Sequence, residues 1–332
     1  MTTSYGLRST LRPLSRRVLA YFAPVLADTP ALFDPAKYGT FDLDAPPPGW
    51  TSLGRIRNFT RIPETKIVAV RGGAKGELQA LYRQNLGARV EFEFTDWGKL
   101  QMALAGGSQH MNVLAVDPNA DPVASGGSAQ SPVAVLATST AQEIVLGAGA
   151  VDAFTPGDLI AVDLDYAQQT GYVGAGIPAA YVSDPVNVLR DRDYVRRVTF
   201  NIGRVAEKTT NSLILSEPLL AGAPPLGSSA QKVVAFVDRE GGSFLQQWSA
   251  LFVLEPESGG RICFHYPILK SAAPAGEGSL DVQRPFEFTT LRACFEALAV
   301  TDRNDNERVV CFRSYFPAAS AAVDYTNQLT SH

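Results

Sequence analysis

The chain has 332 residues, of which 45% are hydrophobic and 19% are charged, and its formal net charge is -4. A protein that grips nucleic acid through the phosphates normally carries a basic excess, so this balance argues against a DNA-binding function. The 28 glycines and 22 prolines indicate many turns, which favours a mainly β fold over a helical one.

The segment "SRRVLAYFAPVLA" near the N terminus has twin arginines, Arg16 and Arg17, ahead of an apolar stretch. Secretory leaders have this pattern, but Pro24 interrupts the apolar run here. We therefore predict that residues 1–49 form an N-terminal arm or helix that ends in the proline-rich linker "DLDAPPPGW". Long arms of this kind often contact a neighbouring subunit.

Residues 50–116 are predicted to form a small antiparallel sheet followed by a helix. From Arg89 to Phe94 apolar and polar residues alternate, which is typical of a half-buried strand. The spacing of apolar residues then changes to that of a helix, and Gly106 with Gly107 is expected to end it. The predicted cap and apolar face of this helix are Asp96, Trp97, Leu100 and Leu104.

Residues 117–140 are rich in Asp, Pro, Ser, Gly and Ala, and they are predicted to form a linker. Residues 141–235 contain a turn at Thr155 to Asp158 that leads into a strand, and a pair of strands across Lys208 to Asn211. This pattern predicts an inserted small all-β barrel or sandwich with its own core.

Alternating strands return in residues 236–332. Apolar residues alternate from Leu291 to Ala299, with Arg292 and Glu296 on the opposite face, and the polar stretch "TDRNDNER" follows. We predict a hairpin at this point. A calcium loop is disfavoured because "DRNDNE" is not followed by the glutamate at the twelfth position and lacks the glycine at the sixth.

No catalytic, cofactor-binding or metal site is predicted, and we expect a protein that is not an enzyme. The three histidines, His110, His265 and His332, have no Glu or Cys at metal-ligand spacing, and no nucleophile elbow or phosphate loop occurs in the sequence. His265 is expected to be a packed or surface histidine. The cysteines are expected to be buried free thiols: Cys263, Cys294 and Cys311.

Two parts of the chain resemble the tail tube (major tail) proteins of bacteriophages. The first extends from "GWTSLGRIRNFTRIPETKIVAV" to "RVEFEFTDWGKLQMALAGGSQHMNVL", and the second extends from "GGRICFHYPILKSAAPAGEGSLDV" to "FEALAVTD". The stretch "FTPGDLIAVDLDY" is similar to an inserted domain that some of these proteins carry. The resemblance covers about half of the chain.

This resemblance implies a β-sandwich or half-barrel tail tube fold flanked by a short α-helix, with the small all-β domain inserted. It also implies homo-oligomeric rings, commonly hexameric, that stack into a hollow conduit for DNA delivery and contact other tail proteins, such as a tape measure and a sheath. The expected location is the virion tail, assembled in the host bacterial cytoplasm, with no cofactor and no membrane partner. Open strand edges would pair between subunits, and the helix beginning at Asp96 would seal the contacts together with the N-terminal arm.

A conduit for DNA must let the duplex slide, and acidic side chains facing the lumen would repel its phosphates. We name Glu91, Glu93 and Glu296 as candidate lumen-facing residues, because they lie on the polar face of alternating strands.

Three other functions fit the sequence. A distal tail, hub or terminator protein would share the fold and form a single ring. A contractile injection device would use a related inner tube without DNA. A secreted β-rich carbohydrate-binding or hydrolytic protein would use the twin-arginine segment as its leader.

Overall fold

The computed structural model describes residues 15–25, 29–73, 76–96, 98–107, 109–115, 118–119, 121, 130–164, 200–239, 247–256, 260–272 and 291–316. These residues divide into two units. The first unit draws on Met1–Ala23, Pro30–Trp97 and Trp248–His332, and the second on Pro24–Thr29 and Gly98–Gln247. The main segment of the second unit thus begins at Gly98, ahead of the linker that the sequence predicts at 117–140.

The described residues are mainly β. The strands, in chain order, are β1 (Ser15–Pro24), β2 (Thr51–Pro63), β3 (Lys66–Gly72), β4 (Glu77–Gln84), β5 (Gly87–Phe94), β6 (Gln109–Leu114), β7 (Val133–Ala134), β8 (Glu143–Val145), β9 (Leu159–Leu164), β10 (Ile202–Lys208), β11 (Ser212–Leu215), β12 (Ser228–Arg239), β13 (Gln247–Pro256), β14 (Arg261–Ser271), β15 (Leu291–Leu298), β16 (Val300–Thr301), β17 (Arg308–Val309) and β18 (Phe312–Phe316). The helices are α1 (Pro35–Tyr38), α2 (Lys99–Gly106) and the short 3-10 helix Ala150–Ala153.

Six antiparallel strands of the first unit close into a barrel in the order β13-β1-β2-β5-β15-β14, with β14 returning to β13. The strand β18 pairs with the first half of β14, where β15 does not reach. The predicted sandwich or half-barrel was therefore wrong in one respect, since the sheet closes on itself. Closure also removes the open barrel edges on which subunit pairing was expected to depend.

The barrel interior is aromatic. Along β5 buried and half-buried residues alternate, as the sequence predicts, and Phe92 and Phe94 are fully buried. The Phe92 ring stacks on Phe295 of β15 at 5.9 Å between centroids and meets Phe252 of β13 at 5.3 Å. Successive side chains of a strand point to opposite faces, so one face of each strand fills this core.

The segment "SRRVLAYFAP" is a barrel strand, and the predicted arm or helix was wrong at this point. Phe22 of β1 packs in the aromatic core, 5.9 Å from Phe252. The neighbouring Tyr21 belongs to a second cluster that includes Leu251 of β13. Both faces of β1 are therefore buried, which is why the segment has an apolar run in place of alternation.

We call residues 30–50 the strap, because they cover that second cluster of the barrel. Phe33, Leu43 and Trp50 are the buried side chains that the strap contributes. The Tyr21 hydroxyl donates to the Leu43 carbonyl at 2.8 Å, and the Ala31 N–H donates to the Ser249 Oγ at 2.9 Å. This part of the predicted arm is thus bound to its own barrel.

In the second unit the strands follow the order β6-β12-β9-β10-β11-β8, with β7 beside β12. The turn before β9 lies where the sequence predicts it, with Asp158 Oδ2 accepting from the Thr155 N–H at 2.9 Å. The pairing of β10 with β11 likewise matches the predicted strand pair. The Leu136 N–H donates to the Val145 carbonyl at 2.8 Å, so the chain just after β7 also bonds to β8.

The core of the second unit is aliphatic. Its buried side chains include Ile144, Ile160, Val205 and Leu213, and Phe154 is the one aromatic member of the cluster among the described residues. The predicted hairpin near the C terminus is confirmed in the first unit, where β16 pairs with β17 across "DRNDNE". The Asp302 N–H closes that loop by donating to the Glu307 carbonyl at 2.8 Å.

Candidate assembly surface

The strands β3 and β4 form a two-stranded sheet of their own, which we call the hairpin. Its register runs from Lys66 opposite Gln84 to Gly72 opposite Glu77. The barrel strands β2 and β5 lead directly into it, and the Glu64 N–H donates to the Gly87 carbonyl at the junction, 3.0 Å away. The hairpin therefore extends the β2–β5 ribbon beyond the barrel.

None of the described hairpin residues is buried. Cross-strand partners share a face, so Ile67 and Leu81 lie on one face while Tyr82 lies with Val68 on the other. Both faces of the hairpin thus present apolar side chains to solvent. Its large exposed hydrophobic residues are Ile67 (62% exposed), Val70 (40%), Leu78 (52%), Leu81 (61%) and Tyr82 (61%).

The two faces of the hairpin differ in charge. Arg83 pairs across from Ile67 and Arg71 from Leu78, so two arginines lie on the same face as Leu81. The opposite face has a single base, Lys66, at the junction with the barrel. An isolated two-stranded hairpin is marginally stable in water, and contiguous exposed apolar groups mark interaction sites. The hairpin is the strongest candidate surface for assembly in the part of the chain that the structure describes.

The predicted polar-face residues Glu91, Glu93 and Glu296 do share one face of the barrel. In the β5–β15 register Glu93 lies opposite Arg292, and Glu296 lies opposite Arg89. Glu91 forms ion pairs with both arginines: its carboxylate lies 2.8 Å from Arg89 Nε and accepts a hydrogen bond from the Arg292 guanidinium at 2.7 Å.

This face is therefore mixed in charge, although the sequence analysis treated it as acidic. The register also sets Arg57 of β2 opposite Glu93 and Lys270 of β14 opposite Glu296. Burial and the nearby Glu64 carboxylate raise the pKa of Glu296 above its ordinary value. That the face lines a lumen stays a prediction.

The predicted helix begins later than expected. It starts at Lys99 after the N-cap Gly98, which has no side-chain capping bond, so Asp96 does not cap it. Trp97 lies outside the described residues. Leu104 is fully buried and Leu100 half-buried, and the left-handed Gly107 ends the helix as predicted.

The helix also lies in a different unit from the one expected. It belongs to the second unit, where it contacts β12, and its buried residues are Ala103, Leu104 and Ala105. A role of this helix in sealing subunit contacts stays a prediction.

The thiols are free, as predicted, with Cys263 and Cys294 buried and Cys311 half-buried. Burial raises the pKa of Cys263 to about 12 and that of Cys311 to about 11, so both stay protonated and unreactive near neutral pH. His265 is packed: it lies 5.8 Å from the Trp50 ring and 5.7 Å from the Phe312 ring. Burial lowers the pKa of His265 to about 4.

Within the described residues no group of three or more His, Cys, Asp or Glu side chains is arranged to hold a metal ion. None of the helices described in the structure is long and apolar enough to cross a membrane. A comparison with protein families finds no family model that matches the chain, and no curated protein matches it.

The exposed hairpin surface was not predicted from the sequence. A small antiparallel sheet was predicted in this part of the chain, but not that both faces of the hairpin would be exposed. The available signal was the local pattern, since "KIVAV" and "ELQALY" put apolar residues on both faces of each strand. Such strands need a cover on each side, and the described residues provide none.

Proposed function

We propose that this protein is a structural subunit of a bacteriophage tail tube, which polymerises with copies of itself into stacked rings around a hollow conduit for DNA. The observation that carries the proposal is the hairpin, whose two faces expose apolar side chains. The resemblance of the flanking sequence to tail tube proteins specifies the kind of assembly.

The energetics favour a polymer. Burying one Leu, Ile or Val side chain contributes about 1.5–3 kcal/mol, and the hairpin offers five large apolar residues in a short stretch. A contact of this size repeated in every subunit can offset the entropy lost on association. Open barrel edges were expected from the sequence to pair between subunits. Because the barrel itself is closed, the hairpin would make that contact.

The mixed polar face suits a conduit that must not hold its cargo. A free arginine binds phosphate strongly, but Arg89 and Arg292 are both engaged by Glu91. A lumen lined with such pairs would have little net charge and would let a duplex slide. Six-fold rings, tape-measure and sheath partners, and location in the virion tail belong to the same proposal.

Electron microscopy of the purified full-length protein tests the proposal. We expect tubes or stacked rings of uniform width once the protein is concentrated. Sedimentation separates this result from a single ring of fixed size, which would favour a distal tail, hub or terminator protein. A monodisperse monomer at high concentration, with no assembly after an initiator is added, would contradict the proposal.

A further inference from the structure

The arginine-bearing face of the hairpin has a complement within the same unit. We propose that this face docks on the strap of a second copy of the chain, an inference that rests on the proposed self-assembly. The docking face consists of Ile67, Arg71, Leu78, Leu81 and Arg83, all exposed.

The strap supplies the matching chemistry. Three of its acids, Asp34, Asp42 and Asp44, are exposed, against a single base, Lys37. Leu32, also in the strap, is 53% exposed and can meet an apolar side chain of the hairpin. An acidic surface with an exposed leucine is complementary to an apolar surface with two arginines.

The strap is also held in a fixed conformation on the barrel. Its buried side chains hold it on the barrel, and the hydrogen bonds at Leu43 and Ala31 fix both of its halves. Asp34 caps α1 by accepting from the Ala36 and Lys37 N–H groups, and Asp42 accepts from the Asp44 N–H at 3.0 Å. A preorganised acceptor lowers the entropy cost of docking.

Geometry requires that the strap belong to another copy. Every residue of the docking face is exposed within its own chain, so its own strap does not cover it. An interface between two different surfaces of the same protein is heterologous. Such contacts generate rings when the rotation between successive subunits closes, and filaments when it does not. A tube of stacked rings combines these two forms.

One other acidic surface competes for this role. The β16–β17 loop exposes Asp305 and Glu307, with Asp302 half-buried, but it carries no large exposed apolar residue to meet Ile67 or Leu81. The strap is therefore the better complement, and the loop provides a matched control. Asp302 accepts from the Asn304 N–H at 3.0 Å, in the same way as Asp42 accepts from Asp44.

Charge reversal in full-length protein tests the inference. We expect R71E/R83E, and separately D42R/D44R, to raise the protein concentration needed for tube formation by about ten-fold or more, because like charges then face each other. The quadruple variant R71E/R83E/D42R/D44R restores the opposite pairing and should assemble close to the wild-type concentration. The control R71E/R83E/D302R/D305R should stay impaired.

The outcomes separate this inference from the proposed function. Wild-type tubes with no effect of R71E/R83E, or rescue by the loop reversal and not by the strap reversal, would overturn the docking inference and leave the tube proposal standing. A wild-type protein that never assembles would overturn both. Circular dichroism and thermal melting of each variant establish that the exposed substitutions leave the fold intact.

Discussion

The barrel strand β5 and the hairpin strands that precede it are built from similar residues, yet they differ fully in burial. Along β5 every second residue is buried, and Val90, Phe92 and Phe94 are inaccessible to solvent. Along β3 and β4 no described residue is buried. An apolar strand sequence therefore indicates that the side chains of the strand must be buried by other residues. It does not indicate which residues bury them.

The difference arises from the neighbours of each strand. β5 lies between β2 and β15, and closure of the barrel brings the rings of three other strands onto its inner face. β3 and β4 have only each other within the described residues. Substitutions in the unassembled protein should therefore differ widely in their effect on stability, depending on whether they fall in the barrel core, in the strap or in the hairpin.

Removing a core ring should have the largest effect. We expect Phe92→Ala to lower the free energy of unfolding of the barrel unit by about 3–5 kcal/mol, because it leaves a cavity among Phe252, Phe295 and Phe94. Urea denaturation followed by near-UV circular dichroism measures the change. A loss comparable to that of a hairpin substitution would mean that the barrel core is not the stabilising element.

The packing of His265 between the strap and the barrel should make the stability of the protein depend on pH. His265 is neutral in the folded protein, since burial lowers its pKa to about 4, whereas the unfolded chain binds a proton below its ordinary pKa of about 6.5. Its contribution to stability is therefore complete above pH about 6.5 and is lost progressively as the pH falls to about 4, for a total of about 3 kcal/mol.

Urea denaturation at several pH values measures this loss, with His265→Gln as the comparison because other groups also titrate in this range. The variant keeps a donor near the Ala31 carbonyl, which lies 3.2 Å from His265 Nε2, but does not titrate. Stability should fall less steeply with acid in the variant. Parallel profiles for the two proteins would show that His265 is not the responsible group.

A smaller loss of stability is expected from a substitution where the strap packs against Phe316 of β18. Gly39 is buried, and a Cβ at this position would overlap the Phe316 ring. We expect Gly39→Ala to lower stability by about 1–3 kcal/mol, since the ring or the strap must shift. Gly87→Ala is the matched control, because its nearest neighbour would be Glu64 Cβ at an ordinary 3.8 Å. Equal effects at the two glycines would contradict the tight packing of the strap.

The smallest effect on stability belongs to the hairpin. Leu81 is 61% exposed, so Leu81→Ala should change the free energy of unfolding of the unassembled chain by less than about 0.5 kcal/mol. The same substitution should impair tube formation, which electron microscopy measures. A strongly destabilised monomer would instead mean that the hairpin is already covered within its own chain.

Several local features were predictable from the sequence because short-range chemistry decides them. Alternation from Arg89 to Phe94 predicts a strand with one buried face, and the turn at Asp158 and the glycine stop at Gly107 lie where they were predicted. The start of the helix was less predictable. Asp96 has the right chemistry for a cap, but the chain reaches helical geometry only after Gly98.

The mainly β character, the faces of the alternating strands and the absence of a recognisable catalytic motif follow from local sequence, since periodicity and composition act over a few residues. Closure of the first sheet into a barrel, the cover of its second cluster by the strap, and the sharing of Glu91 by two arginines become visible only in the folded protein. Those outcomes depend on pairing between strands far apart in the chain, such as β1 with β13 and β5 with β15. Many registers satisfy the same local pattern, and the choice among them is made by how the buried side chains pack together.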